Sequence, residues 1–258
     1  MKLTAEQITE FEEFISKVMK ENNMPGLAVG IANGNEILYK KGFGVKDLGT
    51  KSPVTTKTIF GVASVTKSFT CSAVMKLCEE GKMSPHDPVK RFLPEFGVPG
   101  GSGDDVTPHH CMTHSAGFPP LPSLGWGITD NTRKDKPRDD EKKTEENGKP
   151  KGEQKDKEEV RKDKPKAHPP VTTYTQLLNY LRTGDFTMLA EAGKYHSYSN
   201  DAYGVLGAVI EQVSGEMYAR YVEQNILAPL GMKRSTFNLE EILKDDDTTT
   251  LYYKKDWD

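Results

Sequence analysis

Ser64 and Lys67 stand three residues apart at the head of a segment, 64–81, whose apolar side chains cover much of a helical circumference: Phe69, Ala73, Val74, Leu77 and Cys78. A helix of that kind is predicted to run through a core rather than along a surface, so the rest of the chain must supply elements that pack on several of its sides. Gly81 is predicted to end it. At a spacing of three, Ser64 and Lys67 share one face of the helix, about one turn apart. A serine hydroxyl is a weak nucleophile until a base takes its proton, and a partly desolvated lysine can do that. The start of a helix adds free N–H groups and partial positive charge where negative charge would develop. The same spacing also suits an N-cap serine followed by a solvated lysine, so the pair needs support from elsewhere in the chain.

Support comes from Tyr198-Ser199-Asn200, a Tyr-x-Asn that comes after a small-residue loop and runs into an apolar stretch. A tyrosine suits a second proton carrier facing the serine, and an asparagine can hold the lysine while orienting a substrate amide. Ser-x-x-Lys with a second triplet downstream is the pattern of serine β-lactamases and penicillin-binding proteins. Read only locally, Tyr198 is a half-buried aromatic at a loop–helix junction and Asn200 is an N-cap.

Three further stretches carry a likeness. VTPHHCMTHSAGFP (106–119) is similar to the segment Ile-Thr-Ile-Arg-His-Leu-Leu-Thr-His-Thr-Ser-Gly-Leu-Pro of the class C β-lactamase-related serine hydrolases. EEGKMSPHDPVKRFLPEF (79–96) resembles the stretch after the nucleophile helix in that family, and NILAPLGMKRSTF (225–237) resembles its Pro-Leu-Gly-Met turn. The resemblance covers residues 5–125 and 170–240, and the group includes D-peptidases, carboxylesterases and penicillin-binding proteins. It implies an α+β fold with a helical lobe and an antiparallel sheet lobe. It also implies a serine hydrolase working through a Ser64 acyl-enzyme on a peptide, ester or β-lactam carbonyl. Catalytic roles then fall to Ser64, Lys67 and Tyr198, with Asn200 binding substrate and the Ser64 N–H serving as one oxyanion donor. Whether Lys67 or Tyr198 is the primary base stays open. No metal and no organic cofactor is implied.

His109, His110, Cys111 and His114 invite a metal reading, but their spacing reproduces no standard zinc pattern. They are expected to be structural histidines beside the site. Arg182-Thr183-Gly184 imitates the third motif of the resembled family, Lys-Thr-Gly, yet it precedes Tyr198 and comes after a helix pattern, so it reads as a helix-ending turn. After residue 240 the sequence contains neither His-x-Gly nor Lys-Thr-Gly. The expectation is therefore the N-terminal portion of a longer or split hydrolase, with an incomplete sheet lobe. A C-terminal fragment, or self-association through an open sheet edge, would complete it. The rival expectation is a non-catalytic ligand-binding or sensor module, or an inactive truncated relative.

Composition narrows the partners. The formal net charge of −3 comes without a basic stripe, which argues against nucleic acid. The N-terminus lacks an apolar leader pattern and no stretch approaches a membrane span, so a cytoplasmic chain acting on a small molecule or short peptide is expected. Cys71, Cys78 and Cys111 show no framework spacing and are expected to be reduced thiols. Residues 1–258 are expected to form one two-lobed domain, interrupted by a charged, low-complexity insertion at 127–169. Within that insertion, 25 of the 34 residues from 133 to 166 are charged, too few apolar groups remaining to drive folding. Elsewhere, Thr4-x-x-Gln7 predicts a capped first helix with Ile8, Phe11, Phe14, Ile15, Val18 and Met19 inward. Asn33-Gly34 predicts a hairpin, 173–186 a helix with its turn, 202–214 a helix ended by Gly215, 217–228 another, and the last residues a loop or the beginning of a strand.

Overall fold

The structure is a computed structural model and describes residues 2–101, 103–123 and 171–252. In chain order these form α1 (Ala5–Glu21), β1 (Gly26–Asn33), β2 (Glu36–Gly44), α2 (Thr66–Glu79), α3 (Pro108–Met112), α4 (Tyr174–Thr183), α5 (Asn200–Ser214), α6 (Tyr218–Val222) and α7 (Leu239–Lys244). A π-helical turn, Glu223–Leu227, continues α6. The charged stretch 127–169 lies outside the described residues. The chain divides into two compact units, Met1–Ala73 with Met217–Asp258, and Val74–Glu216.

In the first unit, Thr4 caps α1 through the expected reciprocal box with Gln7. Ile15 and Met19 are buried, and Phe11 meets the Tyr39 ring edge-on at 5.6 Å. Phe14, expected inward, is 59% exposed. β1 and β2 pair antiparallel, joined by Gly34-Asn35. The turn thus sits one residue later than the Asn33-Gly34 signal suggests. Gly34 has φ +56 at the first central position, and among the described residues Asn35 does not share the positive φ. Glycine first is the type II′ pattern, whose twist matches that of the strands. The register slips between Ile31 and Ala32, whose partners are Tyr39 and Ile37, so Leu38 is the extra residue of a bulge.

α2 begins in the first unit and ends in the second. Thr70, Ala73, Val74 and Leu77 are buried, but Ser68, Ser72, Met75 and Glu79 form an exposed stripe, with Met75 49% exposed. The expectation of a helix running through a core is corrected here to a helix with one solvent-facing side. Two serines and a glutamate at helical spacing mark one side for solvent, and the apolar count alone concealed it.

The second unit is built on α5, where Ala202, Val205, Leu206, Val209 and Ile210 are buried and which packs against α3 and α4. Thr173 and Gln176 form the capping box of α4, and Gly184 closes it by donating its N–H to the Tyr180 carbonyl at 2.8 Å. Arg182-Thr183-Gly184 is thus a helix end, as expected. Gly215, with φ +74, ends α5. Cys111 is fully buried, which pushes its thiol up to about 12.

Candidate active site

Ser64 does not lie on α2 itself. It sits in a 3₁₀ turn, Ala63–Val65, that leads into α2, while Lys67 is the second residue of the helix. The pair thus spans the junction between the 3₁₀ turn and the first turn of α2. Lys67 Nζ lies 3.3 Å from Ser64 Oγ and donates to it. Ser64 is exposed and Lys67 partly so. Just before the serine, Ala63 has φ +42, a left-handed conformation that a non-glycine residue adopts at a cost of about 1–2 kcal/mol. Val65 closes the turn by donating its N–H to the Val62 carbonyl at 3.0 Å.

The run leading to this turn is held by a residue that sequence reasoning missed. Asp247 Oδ1 accepts from the Thr58 hydroxyl at 2.7 Å and from Lys46 Nζ at 3.0 Å, while Oδ2 accepts from Thr55 at 2.9 Å. Its carbonyl accepts the Ile59 N–H at 2.7 Å, and Thr249 donates back to the Ile59 carbonyl at 3.0 Å. The Thr58 hydroxyl above all, with Lys46 and Thr55, lowers the Asp247 carboxyl to about 2. Arg234 braces the neighbouring Asp245 with both terminal nitrogens at 3.0 Å and donates from Nε to the Lys57 carbonyl at 2.7 Å. The only signal in the sequence was a run of three aspartates at 245–247, which reads equally well as a solvated loop.

Tyr198 and Asn200 lie in the second unit, on either side of Ser199. Ser199, not Asn200, is the N-cap of α5: its hydroxyl accepts the Ala202 N–H at 3.0 Å, and Asn200 is the first helical residue. Tyr198 therefore occupies the position just outside the helix and is 47% exposed. Its ring stacks on His114 at 4.3 Å with 29° between planes. His114 Nδ1 accepts the Ser199 N–H at 3.1 Å, and the His114 carbonyl accepts the Ser197 N–H at 2.8 Å. The segment around His114 is further stitched to the Tyr198 loop through Gly193 N–H to the Ser115 carbonyl and Leu189 N–H to the Gly117 carbonyl. Gly117, with φ +85, must be glycine, because a Cβ there would collide with the Ala190 carbonyl. Next to Asn200, Asp201 is buried and accepts from Ser123, and burial raises its carboxyl above the ordinary range.

Another histidine of this segment has a different role. His110 is at N3 of α3, and its Nδ1 accepts the Thr107 N–H at 3.3 Å, standing where a capping box ordinarily has glutamate or glutamine. Burial first, then neighbouring His109, holds its pKa below the usual value. Among the described residues no group of three His, Cys, Asp or Glu side chains could hold a metal ion, and no helix is long and apolar enough to cross a membrane.

Known proteins share both the sequence pattern and the fold. The chain is 24% identical over 240 residues to Protein flp of Staphylococcus aureus (strain MW2), an alignment covering 92% of this chain and 39% of that protein. The fold superposes on the octameric penicillin-binding protein homologue of Pyrococcus abyssi with a TM-score of 0.71 and 32% identity, covering 94% of this chain and 47% of that one. A class C β-lactamase solved with cefoxitin gives a TM-score of 0.67 at 23% identity, covering 95% of this chain and 55% of that one. This chain thus spans roughly two-fifths to one-half of the length of these proteins. The fold is the α+β fold of β-lactamases and penicillin-binding proteins. The pattern of the family described as Beta-lactamase matches residues 11–258, and the chain belongs to that family of serine hydrolases.

Proposed function

We propose that this chain carries the acylating machinery of a serine hydrolase, with Ser64 as nucleophile. The observation that supports it most is the 3.3 Å contact between Lys67 Nζ and Ser64 Oγ beside the left-handed Ala63. In the reaction, Ser64 Oγ bonds to a carbonyl carbon as its proton passes to a base. Collapse of the tetrahedral intermediate expels the leaving group, which takes up a proton, and water then releases the acyl group to restore Ser64. A contact of 3.3 Å is slightly longer than a tightened catalytic hydrogen bond, as resting sites commonly are. Lys67 and Tyr198 share the proton traffic, Asn200 orients Lys67 and the substrate amide, and the Ser64 N–H is one oxyanion donor. The substrate is a peptide, ester or β-lactam carbonyl.

One feature supports a lesser second reading, a non-catalytic ligand-binding module. The described residues contain a single two-stranded sheet. The open strand edges also support self-association, as does the octameric state of the Pyrococcus abyssi homologue. Exposure to a fluorophosphonate or a penicillin separates the two readings. The hydrolase gains one covalent adduct that Ser64→Ala abolishes, and the binding module gains none.

A further inference from the structure

We infer that His114 is the positioning residue for Tyr198, acting as the missing half of an N-terminal cap 85 residues away in sequence. In a reciprocal cap the N-cap side chain accepts the N3 N–H, and the N3 side chain accepts the N-cap N–H in return. α5 has the first half, Ser199 Oγ to Ala202 N–H, but its N3 residue is an alanine that can return nothing. His114 Nδ1 supplies that acceptor, taking the Ser199 N–H at 3.1 Å. Ser199 is only 3% exposed, so an unmade bond there would leave a buried donor.

The same side chain fixes the residue before the cap. Its ring lies against Tyr198 at 4.3 Å, with Tyr203 at 5.1 Å and His196 at 5.9 Å. Tyr203 is itself anchored, its hydroxyl donating to the Met112 carbonyl at 2.8 Å. The backbone at His114 is left-handed, φ +57, a conformation costly for histidine, and in it the carbonyl accepts the Ser197 N–H at 2.8 Å. Main-chain carbonyl, ring nitrogen and ring face of one residue therefore meet Ser197, Ser199 and Tyr198 in turn. A ring nitrogen that accepts an N–H carries no proton there, so His114 acts toward Ser199 as an acceptor and toward Tyr198 as a stacking plate.

The inference rests on the role proposed for Tyr198, and the experiment keeps the two apart. Three variants of the 258-residue chain, His114→Phe, His114→Asn and Ser64→Ala, are compared with the parent by fluorophosphonate labelling rate and by amide exchange at Ser199. Phenylalanine keeps a ring and loses the acceptor; asparagine keeps an acceptor and tolerates a positive φ. His114→Phe is expected to slow labelling about tenfold, the size of one lost hydrogen bond, and to speed Ser199 exchange similarly. His114→Asn is expected to restore most of both, a rescue that loss of packing alone would not show. Labelling of His114→Phe at the parent rate, with Ser64→Ala unlabelled, overturns the inference and leaves the hydrolase reading standing. If the parent itself does not label, the hydrolase reading falls, and equal Ser199 exchange in parent, His114→Phe and His114→Asn overturns the cap.

Discussion

The Thr58 hydroxyl donates to Asp247 Oδ1 at 2.7 Å across 189 residues of sequence. Thr58 lies six residues before Ser64, so the late part of the chain holds the approach to the nucleophile turn. Replacing Asp247 with alanine removes acceptors for Thr58, Thr55 and Lys46 together, and the expected cost is about 2 kcal/mol. Chemical denaturation of the variant against the parent measures it, and a change below the error of the method would show the clamp to be idle.

The pH dependence of stability arises from the same group. Asp247 titrates near 2 in the folded protein, below the ordinary aspartate value, and Asp47 and Asp245 are shifted in the same direction. For Asp47 the principal cause is the Thr50 N–H, and for Asp245 it is Arg234. A carboxylate with a depressed folded-state pKa contributes stability that is fully present above its unfolded value of about 4 and is lost as pH falls through the folded value. Thermal melts are therefore expected to shift downward between about pH 4 and pH 2, and Asp247→Asn is expected to flatten that slope. An unchanged slope would place the acid sensitivity elsewhere.

Ala63 tests whether backbone strain at the turn is used. Ala63→Gly relieves the left-handed penalty and is expected to leave stability equal or raised by up to about 1 kcal/mol, while loosening Ser64 and slowing its labelling. Ala63→Val is expected to destabilise, because a branched side chain fits positive φ poorly. Faster labelling by Ala63→Gly would mean that the strain hinders the nucleophile rather than positioning it.

The burial stripe on α2 predicts a sharp contrast. Leu77, with no exposed surface, is expected to cost about 2–5 kcal/mol when cut to alanine, whereas exposed Met75 is expected to cost under about 1 kcal/mol. Equal losses would contradict the exposed face.

How much of this was legible in the sequence depends on how local each cause is. The Thr4–Gln7 box, the hairpin at Gly34 and the end of α5 at Gly215 were readable, because each is decided by residues within one turn of chain. Ser64 and Lys67 were readable as a pair for the same reason, although the 3₁₀ turn that holds Ser64 was not. Ser199 and Asn200 are both good N-caps, and the choice between them fell to His114, which no local pattern could reveal. Asp247 was invisible for a related reason. Three consecutive aspartates look alike until Thr55, Thr58 and Lys46 select one. Phe14 was misjudged because helical spacing says which residues share a side, not whether that side is covered.

Whether Ser64 is the acylated residue is decided by intact-mass and peptide-mapping mass spectrometry after fluorophosphonate treatment. A single adduct is expected on the peptide containing Ser64, abolished in Ser64→Ala and strongly slowed in Lys67→Ala, since the two act as one unit. An adduct on another serine, or labelling that persists undiminished in Ser64→Ala, would contradict the assignment of Ser64 as nucleophile.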